Sequence, residues 1–401
     1  MHRLETILTA SLLTPPGRGA VAVVRVHAST SDDQNLAEQA LDSFFVAVNG
    51  RPFSEQATGR LCYGHWKTDT SSEDVVVCRA SDFIIEISCH GGRAAVARIL
   101  TSLKTAGVTI EDWQTQQAGI TSAFDAELSV ALSRATTTRA AAVLLDQASG
   151  TLSNILQQML QLEPCELAEH LDKLLAYSQF GLHLTQPWRV VLAGRPNVGK
   201  STLINALLGY TRSIVFDQPG TTRDVVTGQT AFEGWPFQLA DTAGIRNTTD
   251  ELEQAGIERA RRTAEAADLL CLLLDTSQPA TAEDLALLDE FSNPARNNRP
   301  PVIIVAHKAD LPNRWAEPLP DDAMPISSTT GDGVENLMTA IVQTLIPLVP
   351  STGTPVPISQ RQIQWLNRAR QALATGDAAQ AVAAIRNCLS GSPFESDSPS
   401  K

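Results

Sequence analysis

The octapeptide Gly194-Arg195-Pro196-Asn197-Val198-Gly199-Lys200-Ser201 has the G-x-x-x-x-G-K-S spacing of a phosphate cradle. Its glycines let backbone N–H groups wrap a phosphate without side-chain interference. A helix starting behind it would add its positive end. The contacts expected from this loop are Asn197, Val198, Gly199, Lys200, Ser201 and Thr202. Lys200 should reach the β- and γ-phosphates, and the Ser201 hydroxyl should hold Mg²⁺. Further along, Leu239-Ala240-Asp241-Thr242-Ala243-Gly244 is an apolar strand ending in Asp-x-x-Gly. There Asp241 would meet the water shell of the metal, and the Gly244 N–H the γ-phosphate. Between the two lies Gly220-Thr221-Thr222-Arg223-Asp224, a polar loop whose Thr221 and Thr222 could bring oxygen to the nucleotide and to Mg²⁺. For the base, Val302–Ala306 reads as a buried strand leading into His307-Lys308-Ala309-Asp310. Asp310 can accept paired hydrogen bonds from the N1 and N2 edge of guanine, and Lys308 can lay its stem over the purine. Ser327 and Ser328 follow the next strand and can offer backbone N–H to guanine O6.

These residues need a parallel sheet to hold them. Arg189–Ala193, Asp268–Asp275 and Val302–Ala306 are short apolar runs alternating with helical stretches, which predicts a parallel sheet covered by helices on both faces over residues 187–350. Thr202–Leu208 is the helix behind the phosphate loop. In the N-terminal third, Ala20–Val26, Val75–Cys78 and Ile84–Ser88 read as strands and Arg93–Thr105 as an amphipathic helix stopped by Gly107. That mixture predicts an α+β domain over 1–117. From 118 to 186 the chain is rich in Ala, Leu, Gln and Thr with helical spacing. After a Pro-rich linker, Gln360–Thr375 and a stretch around Ala378–Cys388 are helical again.

The chain has 401 residues, 43% hydrophobic and 19% charged, which suits several globular cores. Lys plus Arg minus Asp plus Glu is 31 − 44 = −13, so the chain is no general DNA or membrane-surface binder, and RNA would need a local basic patch. Six Cys without a C-x-x-C pair argue for reduced thiols rather than a disulfide framework or a zinc site. The apolar run at Leu269–Leu274 is far too short to span a membrane. Thr6–Leu13 suits a strand better than a signal peptide, so a cytoplasmic protein is expected.

The five nucleotide stretches, in this order, resemble translation-factor-type P-loop GTPases. Taken with Thr14-Pro-Pro-Gly-Arg-Gly19, Val23-Val-Arg-Val26, Tyr63-Gly-His65 and Cys89-His-Gly-Gly92, they resemble the tRNA-modification GTPase family MnmE, also called TrmE. The resemblance implies an α/β GTPase domain inserted in a helical domain and preceded by an α+β N-terminal domain. The boundaries are then 1–117, 118–186 with 351–401, and 187–350. It implies hydrolysis of GTP to GDP and phosphate, in the service of wobble-uridine modification. It places Glu253, twelve residues after Asp241, as the group that positions the attacking water, with Lys200 and Gly244 beside it in catalysis. It places Asn197 on a potassium ion. It implies a folate derivative near Arg18 and His90, a homodimer, a flavoprotein partner of the MnmG type, and tRNA.

The departures from the family pattern are specific. His307 replaces the Asn of Asn-Lys-x-Asp; an imidazole can donate to guanine N7 but is not expected to brace the phosphate loop as an amide does. Phe216-Asp-Gln-Pro219 replaces Thr-Asp-Ile-Ala in the loop that caps the potassium ion, and Pro219 restricts Gln218. The terminal Phe-Cys-Ile-Gly-Lys of the family is replaced by Ser-Pro-Ser-Lys, and Cys388 is expected to be a packed helix residue. Two alternatives therefore stand beside the first reading: a GTPase switch without the modification chemistry, and a nucleotide-binding scaffold with little turnover.

Overall fold

The computed structural model describes residues 8–15, 19–68, 71–210, 227–241, 267–292 and 300–392. It divides into two compact units, Met1–Glu127 and Leu128–Lys401.

The first unit is built on a seven-stranded sheet. Its strands are β1 (Leu8–Leu12), β2 (Val21–Ala28), β3 (Phe45–Ala47), β4 (Leu61–Thr68), β5 (Ser71–Ser81), β6 (Ile84–His90) and β7 (Thr109–Ile110), in the order β3-β4-β5-β6-β2-β1-β7. All neighbours are antiparallel except β1 and β7. Strand β2 shows why one face is covered: Ala22, Val24, Val26 and Ala28 are buried while the residues between them are not, the period-two pattern of a half-buried strand. On that face lie helix α1 (Ser31–Phe44) and helix α2 (Arg93–Thr105), which contribute Leu41, Ile99 and Leu103 to the core. The Thr30 side chain caps α1 by accepting from the Asp33 N–H. The runs Ala20–Val26, Val75–Cys78 and Ile84–Ser88 correspond to β2, β5 and β6, each longer than expected, Thr6–Leu13 corresponds to the shorter β1, and α2 runs over the residues expected for it. Helix α1 and the β3–β4 pair went unread. The first has a weakly apolar face, and the second breaks alternation at Gly64, where a Cβ would lie 2.9 Å from the Ala47 Cα. Helix α3 (Trp113–Ile120) is pinned by its buried Gln116, which accepts from the Ser11 hydroxyl at 2.6 Å and donates to Thr9 at 3.0 Å.

The second unit holds a six-stranded sheet and a set of helices. The strands are β8 (Trp188–Ala193), β9 (Thr227–Phe232), β10 (Trp235–Asp241), β11 (Leu269–Asp275), β12 (Val302–His307) and β13 (Met324–Ile326), in the order β13-β12-β11-β8-β10-β9. β11 is buried along its whole length, as a central parallel strand must be. The expectation of a parallel sheet needs one correction: β9 pairs antiparallel with β10, joined by a tight turn at Glu233-Gly234. Both turn residues have positive φ, the geometry a two-residue hairpin demands.

Helices α4 (Ala123–Ser133), α5 (Thr138–Ala148), α6 (Thr151–Met159), α7 (Pro164–Leu175) and α8 (Ser178–Leu182) precede this sheet in the chain. Helices α9 (Lys200–Tyr210), α10 (Ala282–Ser292) and α11 (Val334–Leu345) lie between or after its strands, and α12 (Gln360–Ala374) and α13 (Ala378–Ser390) close the described chain. Late and early helices meet: Arg370 on α12 makes a two-armed ion pair with Asp172 on α7 at 2.7 and 3.2 Å. Buried Gln147 on α5 donates to the Thr354 carbonyl and accepts from the Val356 N–H, tying down the Pro-rich segment. The hairpin turn is gripped by Arg139, which donates to the Glu233 carbonyl at 2.7 Å and stacks over Trp235.

Candidate functional site

The parallel strands of the second unit collect their C-terminal ends on one edge. There β8 ends at Ala193, β10 at Asp241, β11 at Asp275, β12 at His307 and β13 at Ile326. That edge is where an open α/β sheet binds ligands.

The phosphate loop leaves β8 and enters α9. Gly194 has φ 143° and a Cβ there would lie 2.6 Å from the Leu273 carbonyl oxygen. Gly199 has φ 107°, and its Cβ position overlaps the His307 ring, 2.8 Å from Nδ1. Only glycine fits either place. Asn197 sits exposed at φ 62°, a left-handed conformation that Asn adopts more readily than most residues. Val198 is buried and anchors the loop. Lys200 is buried too, and its ammonium donates to the carbonyls of Gly194 at 2.9 Å and Arg195 at 3.0 Å. Burial pushes its pKa below the ordinary lysine value, against the opposing pull of Asp241 and Glu283.

Ser201 donates its hydroxyl to Asp241 at 3.0 Å. A hydroxyl and a carboxylate oxygen therefore converge at the start of α9, beside the exposed Thr202. Hard oxygen donors of this kind suit Mg²⁺, which keeps several waters and takes few protein ligands.

After β12, Lys308 has φ 62° and its ammonium donates to Asp275 at 2.6 Å. Asp275 is 1% exposed, and its other oxygen accepts from the Ser277 N–H and hydroxyl. Burial opposes its ionisation, but the bonds from Lys308 and Ser277 outweigh that and hold the carboxyl below its usual range. Arg195 joins this cluster from the phosphate loop, 3.7 Å from Asp275 and 3.2 Å from the fully buried Asp284. Asp310 is exposed next to the site, and Ala309 N–H donates to the Ile326 carbonyl, which ties its loop to that of Ser327 and Ser328. Ser327 is buried, and its hydroxyl accepts from the N–H groups of Thr329 and Thr330.

His307 requires a correction. Its Nδ1 lies 2.8 Å from the Val198 carbonyl and its Nε2 lies 2.7 Å from the Ser328 hydroxyl. The imidazole does brace the phosphate loop, because its ring reaches as far as an amide and has a polar atom at each end. Burial pushes its pKa below the ordinary value, which favours the neutral ring.

The edge thus unites Asn197, Val198, Gly199, Lys200, Ser201, Thr202 and Asp241 at the ends of β8 and β10 with His307, Lys308, Asp310, Ser327 and Ser328 at the ends of β12 and β13. Thr221, Thr222, Gly244, Glu253 and the Phe216–Pro219 segment lie outside the described residues. Asp275, Asp284 and the ion pairs of Arg195 were missed from sequence. The signal was there for Asp275, which ends a six-residue apolar run, Leu269–Leu274, just as Asp241 ends a shorter one.

In the first unit, two glycine turns come together: Gly91 N–H donates to the Ala20 carbonyl, and a Cβ on Gly91 would overlap the Gly19 carbonyl. His90 sits at this junction, exposed, with Nδ1 2.6 Å from Glu73, whose other oxygen accepts from Arg98. Arg18 lies outside the described residues. None of the six cysteines is in a disulfide, and Cys388 is fully buried on α13, as expected. Among the described residues no helix is long and apolar enough to cross a membrane.

A family model described as 50S ribosome-binding GTPase matches residues 189–308. Named tRNA modification GTPase MnmE, a protein of Latilactobacillus sakei is 33% identical over 92% of this chain and 87% of its own length. Its namesake in Geobacillus thermodenitrificans is 34% identical over 78% of this chain and 74% of its own length. A third, from Lactiplantibacillus plantarum, is 32% identical over 91% and 87%.

Proposed function

Since the chain belongs to the MnmE family of tRNA-modification GTPases and is a GTP-binding hydrolase, we propose that the edge of the six-stranded sheet is its GTP site and that its hydrolysis serves tRNA wobble-uridine modification. The observation that carries the site is the convergence of Lys200, the Ser201–Asp241 pair and the His307–Asp310 loop on one edge. In this reading the phosphate-loop N–H groups and Lys200 hold the β- and γ-phosphates, and Asp310 selects guanine. Ser201 and Asp241, with Thr222, would hold Mg²⁺, which when bound would supply positive charge against that developing on the phosphates. Water adds to the γ-phosphorus as its bond to the bridging oxygen breaks, and GDP leaves with that electron pair. Glu253 positions the water and Gly244 senses the γ-phosphate. No Gln follows Asp241-Thr-Ala-Gly244 at the position that orients water in Ras-like enzymes.

The reading extends to the whole chain. Family membership over about nine-tenths of the sequence favours the modification role over a switch or scaffold. The GTPase domain, 187–350, is inserted in a helical domain formed by 118–186 and 351–401, a reading supported by the α7–α12 ion pair. The α+β domain, 1–117, carries the folate derivative and makes the homodimer. The meeting of the Gly19 and Gly91 turns beside His90 supports a folate site there. Asn197 takes a potassium ion, and a flavoprotein of the MnmG type and tRNA are the partners. The test is expression in cells lacking their own enzyme, with mass spectrometry of tRNA nucleosides. Recovery of the modified uridine by the wild type, and not by Glu253→Ala, supports the reading. Full recovery by Glu253→Ala rejects that residue's role, and no recovery by the wild type rejects the tRNA role. Exchanging K⁺ for Na⁺ should slow GTP turnover; no change would remove potassium from the account.

A further inference from the structure

We infer that this site recognises guanine without reading N7, because His307 has both ring nitrogens engaged within the protein. The inference rests on the GTP reading above. A carbonyl oxygen only accepts, so the Val198 contact requires a proton on Nδ1. In the neutral ring Nε2 then has no proton, and it accepts from the Ser328 hydroxyl at 2.7 Å. Burial favours this neutral form.

The ring cannot easily turn to offer a donor elsewhere. It packs against Gly199, where even a methyl group would overlap it, and the residue is 3% exposed. Its own carbonyl is held by the Thr276 N–H at 3.1 Å and hydroxyl at 2.9 Å. Turning the imidazole toward a base would break the Val198 bond and leave a buried carbonyl of the phosphate loop unpaired, a loss comparable to the hydrogen bond gained.

An amide at this position differs in one respect. It has two N–H donors and an acceptor, so it can hold the loop with one donor and offer the other to N7. The imidazole has no such surplus. Guanine recognition here falls to the N1 and N2 edge facing Asp310 and to O6. The ligand class this predicts is any guanine nucleotide whose Watson–Crick edge is intact, including those altered at N7.

The measurement is calorimetric binding of GDP, 7-deaza-GDP and ADP with Mg²⁺ to the full chain, which needs no variant. The expected result is GDP and 7-deaza-GDP within about twofold of each other, both well above ADP. The variant His307→Asn should then bind GDP about 3- to 10-fold more tightly than 7-deaza-GDP, the worth of one regained hydrogen bond. A wild-type preference of tenfold for GDP over 7-deaza-GDP would overturn the inference. So would equal binding of the two by His307→Asn, since residue 307 would then not set the discrimination. ADP binding as tightly as GDP would reject the underlying base-site reading instead, and the inference with it.

Discussion

The two sheets of this protein distribute chemistry in opposite ways. In the six-stranded sheet, β8, β10, β11, β12 and β13 run parallel, so each delivers its terminal residue to the same edge. Lys200, Asp241, Asp275 and His307 become neighbours although up to 107 residues separate them, as 307 − 200. In the seven-stranded sheet, antiparallel neighbours send successive ends to opposite edges. Its polar groups meet in pairs across strands instead, as His65 with Asp74 on β4 and β5, and Arg25 with Glu86 on β2 and β6. A parallel sheet concentrates a site; an antiparallel one scatters side chains over a face.

Substitutions of similar kind in the two sheets should therefore have unequal consequences. Lys200→Ala removes the cation from the phosphate loop, and GTP affinity and turnover should both fall at least about 100-fold. Glu73→Gln, which breaks an ion-paired cluster in the first unit, should leave GTP turnover within about twofold. Steady-state phosphate release on both variants checks the contrast. Equal losses would mean that the first unit takes part in hydrolysis directly.

Asp275→Asn sharpens the comparison within the nucleotide edge. It withdraws the charge that anchors Lys308 and faces Arg195, leaving two cations near a neutral amide. A charge-assisted hydrogen bond is worth about 1.5–3 kcal/mol, so GDP affinity should fall about 10- to 100-fold. Asp310→Ala, lacking only the base contact, should lose guanine preference, whereas Asp275→Asn should weaken all purine nucleotides together through the phosphate-loop connection. Titration with GDP and ADP separates the two patterns.

How far the sequence disclosed each region follows from the same geometry. The placement of the candidate residues was readable because they sit in contiguous motifs at strand ends, where backbone demands fix residue type: glycine at 194 and 199, Ser201 at a helix start. The ties between motifs were not readable. Nothing local to Asp275 says that Lys308 will reach it, and nothing in His307 says that its ring will span Val198 and Ser328. In the first unit, alternation revealed β2, β5 and β6. The short β3 and the mostly polar helix α1 carry too few apolar residues to register. Strand β9 escaped notice because its residues are largely small and polar.

Acidification should produce the smallest effect. Burial lowers the pKa of His183 and His307 in the second unit and of His27 in the first. A folded-state pKa below the unfolded one means the unfolded chain takes up the proton first. Stability is then unaffected above about pH 6.5 and declines as pH falls from there toward the folded values. Each such group can contribute at most about 1.4 kcal/mol per pH unit. With two such groups against one, the second unit should lose more between pH 7 and pH 5. Urea unfolding followed by probes in each unit measures this, and His307→Asn should flatten the decline of the second unit.

The central claim is that the parallel edge is a guanine-selective phosphate site built from the β12 loop and the phosphate loop together. Binding of GDP and XDP to the wild type and to Asp310→Asn tests it most directly, because the base partner changes while Lys200, Ser201 and His307 stay in place. The wild type should prefer GDP by about 100-fold or more, since a site made for paired hydrogen bonds rejects a base that leaves them unmade. Asp310→Asn should reverse the preference toward XDP with the phosphate contacts intact. A variant that still prefers GDP as strongly as the wild type would contradict the account.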